Sequence, residues 1–116
     1  DFRPKTSSNT KIKKENKLSE IKLAENEDIL SSLKKENKIV VGFALETDNE
    51  IKNAKSKLKN KNLDMIVLNS LTSKESGFEF DTNKITIIYK NGKKKNFPLQ
   101  SKFQAANNIL SGILNQ

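Results

Sequence analysis

Lysine is the residue on which chemistry in this sequence has to rest. There is no histidine and no cysteine, which removes the commonest general base and zinc ligand together with thiolate and disulfide chemistry. Lysines gather in three places: Lys11, Lys13 and Lys14 around Ile12, Lys57 and Lys61 one helical turn apart, and Lys93 to Lys95. Several ammonium groups converging on one point is what a polyphosphate requires. Asp1 is a carboxylate of the type that takes a hard cation such as magnesium or a ribose hydroxyl, and equally a turn cap. Phe43 is placed to stack a flat ring, although a phenylalanine in an apolar run is more often core. The Walker lysine loop, the Gly-x-Gly-x-x-Gly fingerprint and the nucleophile elbow are all missing from the sequence.

The net charge is +8, which on its own describes a module for RNA or another polyanion, binding by counterion release. Arg3 is the single arginine among 22 basic residues, whereas forked recognition of phosphates and bases favours arginine. Lysine and asparagine are spread through the whole chain, so most of the charge reads as a solvated surface. Nothing resembles a membrane span or a signal segment, and the expectation is a soluble, cytoplasmic protein without membrane or nucleic-acid partners.

The elements that must position these groups centre on residues 38–69. An apolar run at 39–44, a polar turn Glu46 to Asn49, a lysine-rich helix and a second apolar run at 65–68 form a β-α-β unit. Strands apolar on both sides need cover on both faces, so the fold class is α/β, part of a Rossmann-like doubly wound sheet. Thr47 or Asp48 is the expected N-cap, Ile51, Ala54 and Leu58 the buried stripe, and Asn62 the left-handed end of that helix. Ahead of it lie a flexible leading loop at residues 1–17, a short edge strand at 21–23, and a helix at 26–33 capped by Asn26. Behind it come a loop from Ser70 to Phe80, a hairpin over 84–99 turning at Asn91-Gly92, and a helix opened by the capping box Ser101-x-x-Gln104. Its apolar face is Ala105, Ala106, Ile109, Leu110, Ile113 and Leu114. Residues 5–17 and 70–80 are expected to be mobile, since neither stretch has the apolar content to offset ordering entropy.

Six short motifs occur in one order: Asp1-Phe2-Arg3-Pro4, Lys11-Ile12-Lys13-Lys14, Asn26-x-Asp28-Ile29-Leu30, Val41-Gly42-Phe43-Ala44-Leu45-Glu46-Thr47, Ala54-x-x-Lys57-Leu58-x-x-Lys61-x-Leu63-Asp64-x-Ile66-Val67-x-Asn69, and Gly77-Phe78-x-x-Asp81-Thr82-Asn83. The series resembles the carboxyl-terminal half of the phosphopantothenate–cysteine ligase family, in many bacteria fused behind a flavin-dependent decarboxylase. The resemblance implies a CTP- and magnesium-dependent ligase of coenzyme A biosynthesis that joins 4′-phosphopantothenate to cysteine through an acyl-cytidylate. It implies nucleotide-binding roles for Asp1, Lys11, Asn26, Glu27, Asp28, Ile29, Phe43, Lys57 and Lys61, and for Asp1 a metal role.

The sequence departs from the family pattern at Glu27, where proline is usual, and at Leu45, where alanine is usual. The family's amino-terminal half, with its glycine-rich phosphate loop and the asparagine that handles the acyl-cytidylate, is not in these residues. The chain alone is therefore expected to bind nucleotide without turnover, to need that missing half, and to form a homodimer whose hairpin reaches across the two-fold. Lys11, Lys57 and Lys61 are expected to point to one site.

Overall fold

The computed structural model describes residues 1–13, 20–70 and 80–115. Residues 14–17 of the leading loop, the Gly77-Phe78 motif and nearly all of the loop 70–80 lie outside the described residues. The chain divides into two compact units, Asp1–Leu33 and Lys34–Gln116.

In the first unit, β1 (Phe2–Pro4) and β2 (Leu23–Glu25) pair antiparallel, with Arg3 opposite Ala24. Residues 2–4 are thus a strand rather than loop, and the expected edge strand begins two residues later than its apolar alternation indicated. A single turn of helix follows, α1 (Ile29–Ser32), capped by Asp28 and not by Asn26. The Asp28 carboxylate accepts from the Ser31 amide and from the Ser31 hydroxyl at 2.9 Å, while Asn26 is engaged by Arg3.

The second unit is built on a mixed sheet in the order β3 (Val41–Glu46), β4 (Met65–Ser70), β6 (Ile85–Tyr89), β7 (Lys94–Asn96). β3 (Val41–Glu46) and β4 (Met65–Ser70) are parallel, in register from Val41 with Met65 to Glu46 with Ser70. The helix α2 (Glu50–Asn60) is the crossover between them. β3 starts two residues later than the apolar run, because Val40 donates its amide to the Asp64 carboxylate at 2.8 Å and Ile39 is exposed. Asn49 caps α2 in place of Thr47 or Asp48; it takes the left-handed conformation, φ 45°, and makes no side-chain cap bond.

At the other end of α2, Asn62 is left-handed at φ 46°, and the Leu63 amide returns to the Leu58 carbonyl at 2.9 Å. That is the Schellman ending, which places an apolar residue just past the helix against its last turn. Gly42 makes room for it, since a Cβ there would stand 2.5 Å from Leu63 Cδ1.

After the short strand β5 (Thr82–Asn83), β6 (Ile85–Tyr89) runs antiparallel to β4 and joins β7 (Lys94–Asn96). The hairpin turns where Asn91-Gly92 predicts, but through a longer loop. The Gly92 amide donates to the Tyr89 carbonyl, Tyr89 donates to the Lys93 carbonyl, and Gly92 sits at φ 85°, the three-residue form with a glycine bulge. β8 (Gln100–Ser101) pairs with β5, and α3 (Lys102–Leu114) carries the expected capping box.

Alternation along the strands divides the side chains between two faces. Met65, Val67, Ile85, Ile87, Tyr89 and Ala105 form the core under α3, with Val41, Ile109 and Ile113 packed on it. Ala44, Ile66, Leu68 and Ile88 are buried on the opposite face, where α2 contributes Ala54 and Leu58.

Candidate functional site

The carboxyl edge of β3 and β4 is where ligands sit in sheets of this kind, and both faces of that edge carry distinctive groups. On the α2 face, Glu46 ends β3 with its side chain only 12% exposed, and the Lys57 ammonium lies 2.6 Å from its Oε1. Asn53 Nδ2 donates to Glu46 Oε2 at 3.3 Å and to the Asp48 carbonyl at 2.9 Å, tying the carboxylate to the turn before α2. The Ser70 hydroxyl donates to Glu50 Oε1 at 2.7 Å across the same edge. The Lys57 ammonium holds the Glu46 carboxyl below its ordinary range; burial opposes this and the Asn53 amide adds to it.

On the α3 face of the same edge, Phe43 is 71% exposed and Leu45 40% exposed. Phe43 is therefore not core, contrary to the usual fate of phenylalanine in such a run. Because side chains alternate along β3, Phe43 and the Glu46–Lys57 pair lie on opposite faces and meet only over the strand end.

Among the lysines, Lys57 reaches the carboxyl edge and Lys61 does not accompany it. Lys61 is the C-cap of α2, its backbone about 6 Å further from that edge at 1.5 Å per helical residue. Its carbonyl accepts from Lys35. Asp1, Lys11 and the segment 26–29 belong to the first unit and Phe43, Lys57 and Lys61 to the second. Asp1 accepts the Asn26 amide on its carbonyl at 2.9 Å, and Arg3 donates to the Glu25 carbonyl and to Asn26 Oδ1. Lys11, Glu27 and Ile29 are exposed. No cluster of three or more acidic residues gathers among the described residues. Sequence reasoning overlooked Glu46 as the partner of Lys57 and Asn53 as the second group holding Glu46; the signal was present in Glu46, which lies inside a quoted motif.

The family described as DNA/pantothenate metabolism flavoprotein C-terminal domain matches residues 1–116. The chain belongs to that family. A relative from an unknown prokaryotic organism, named cysteine/cysteine sulfinic acid decarboxylase, is 51% identical over 98% of this chain and 33% of its own length. The coenzyme A biosynthesis bifunctional protein CoaBC of Bacillus subtilis (strain 168) is 42% identical over 97% of this chain and 28% of its own length. The crystal structure of the C-terminal domain of a CoaBC protein superposes with a TM-score of 0.73 at 32% identity, covering 97% of this chain and 47% of that one. The family member thus spans about a third of the curated relatives it matches, and coenzyme A biosynthesis and a flavoprotein context agree with the reading of the sequence.

The same matches correct the CTP-dependent ligase. The family is a flavoprotein one, the 51% identical relative is named a decarboxylase, and none of these names carries ligase, CTP or magnesium. CTP and magnesium are withdrawn as cofactors on that ground, and so is the ligation of 4′-phosphopantothenate to cysteine. The flavin that the family description implies does not fit this edge of the sheet. An isoalloxazine needs a walled slot, and the ring of Phe43 stands open on one face while Lys57 is engaged on the other. No helix among the described residues is long and apolar enough to cross a membrane.

Proposed function

We propose that the chain is a ligand-binding domain of a cytoplasmic bifunctional flavoprotein of coenzyme A biosynthesis, whose decarboxylase chemistry and flavin belong to the rest of the polypeptide. Its own task is to hold a phosphate-bearing ligand of nucleotide type across the carboxyl edge of β3 and β4. The observation that carries this reading is the Lys57 ammonium, drawn to the end of β3 by Glu46. Phe43 provides an open platform for a flat ring on the other side of the strand end. Lys61, on the same helix as Lys57, adds long-range charge in this reading.

The test is a thermal-shift and calorimetric panel of nucleoside mono- and triphosphates of all four bases, with and without magnesium, and flavin mononucleotide. Protection by phosphate-bearing nucleotides that Lys57→Met weakens is the expected result. Protection by flavin mononucleotide alone would place the flavin here and overturn the reading. A salt-sensitive preference for RNA, indifferent to base identity, would favour a polyanion module instead.

A further inference from the structure

Glu46 is an odd neighbour for an anion site, because a carboxylate repels phosphate. Its side chain is 12% exposed and fixed from two directions, by Asn53 Nδ2 on Oε2 and by Lys57 on Oε1. Asn53 is in turn anchored on the Asp48 carbonyl. The Lys57 side chain is 47% exposed, the length of a lysine stem away from α2, and a free lysine there would sample many rotamers at a considerable entropic cost on ordering. Pairing with a rigid carboxylate settles one of the three ammonium donors and leaves the others directed outward.

Resting on the reading proposed above, we propose that Glu46 is a positioning residue, which holds the Lys57 ammonium at the carboxyl end of β3 for the phosphates of the ligand. Two effects compete when Glu46 is changed. Removing its charge strengthens the field felt by an anion; removing its grip releases Lys57. The geometry assigns the larger share to the grip, since the carboxylate is turned toward Lys57 and Asn53 and screened from the ligand side by the ammonium itself.

Direct titration with inorganic tripolyphosphate decides between the two, using the unaltered protein, Glu46→Gln, Glu46→Asp, Lys57→Met and the Glu46→Gln/Lys57→Met double variant, with thermal midpoints recorded for each. Loss of one charge-assisted hydrogen bond to phosphate is worth about tenfold in affinity. Lys57→Met is expected to weaken binding by about that factor and Glu46→Gln by about fivefold, with the double variant no weaker than Lys57→Met alone. Glu46→Asp keeps the charge but withdraws the carboxylate by one methylene, and is expected to behave like Glu46→Gln. Tighter binding by Glu46→Gln, strictly additive losses, or an unchanged Glu46→Asp would overturn the positioning role while leaving the phosphate site in place. An unaltered protein that binds no tripolyphosphate, or a Lys57→Met variant that binds it normally, overturns the site and the positioning role with it.

Discussion

At the scale of the residue, the Glu46–Lys57 pair has consequences for stability as well as for binding. With Lys57 half-exposed, solvent screens most of the attraction, so Lys57→Met should cost below about 1 kcal/mol at neutral pH. The sign of its pH dependence follows from the direction of the Glu46 shift. A carboxyl held below its ordinary value of 4.5 stabilises the fold above that value, and the contribution disappears as pH falls through the lowered one. Urea unfolding of the unaltered protein and of Lys57→Met should therefore differ at neutral pH and converge in acid, below the ordinary glutamate range. A difference that persists unchanged into strong acid would show that the lost stability is packing of the lysine stem instead.

The crossover helix sets where that pair can form, and its two ends are both closed by asparagine in the left-handed conformation, Asn49 and Asn62. Asn62 does more than tolerate its backbone: its Oδ1 accepts from Lys90 at 3.0 Å, and its carbonyl accepts from Lys35 at 3.3 Å. Two ammonium groups at the carboxyl end of a helix also favour its dipole. Asn62→Ala is expected to cost about 1–2 kcal/mol in chemical denaturation through left-handed strain, and Asn62→Gly clearly less. Equal losses would mean that the Lys90 contact, not the backbone, matters at this position. Gly42→Ala should cost about 1–3 kcal/mol, because the new Cβ meets Leu63, itself 1% exposed and without room to move. Thermal unfolding of that single variant checks it.

For the whole molecule, the open side of the sheet is β3. At the far edge, β7 presents Lys94 and Lys95 to solvent, and charged side chains guard an edge against pairing. The hairpin is thus poorly suited to the two-fold contact expected of it. Among the described residues β3 also has one neighbour, β4, and it carries Phe43 and Leu45 exposed along it. The matched CoaBC domain is about twice as long as this chain. The β3 amides that face away from β4 should therefore exchange rapidly with deuterium in the chain alone. They should become protected in a longer polypeptide that includes the preceding half. Rapid exchange in both would show that the added half packs elsewhere.

What the sequence determined by itself is whatever depends on neighbours along the chain. The β-α-β unit follows from two apolar runs around a lysine-rich amphipathic stretch, the capping box from Ser101 and Gln104 three apart, the left-handed helix end from Asn62, and the hairpin from Asn91-Gly92. The family's place in coenzyme A biosynthesis was likewise legible in six ordered motifs, although the activity attached to them was not. Tertiary structure decided the rest, because it depends on residues brought together from afar. β3 was displaced by a hydrogen bond from Val40 to Asp64, 24 positions away, and Asn26, engaged by a distant Arg3, left the cap role to Asp28. Lys57 separated from Lys61 because a carboxylate at the end of another element holds the Lys57 ammonium at the sheet edge, while Lys61 stands one helical turn further from it. Helical periodicity puts two lysines on one face; only the packed sheet determines which of them reaches the edge where a ligand would lie.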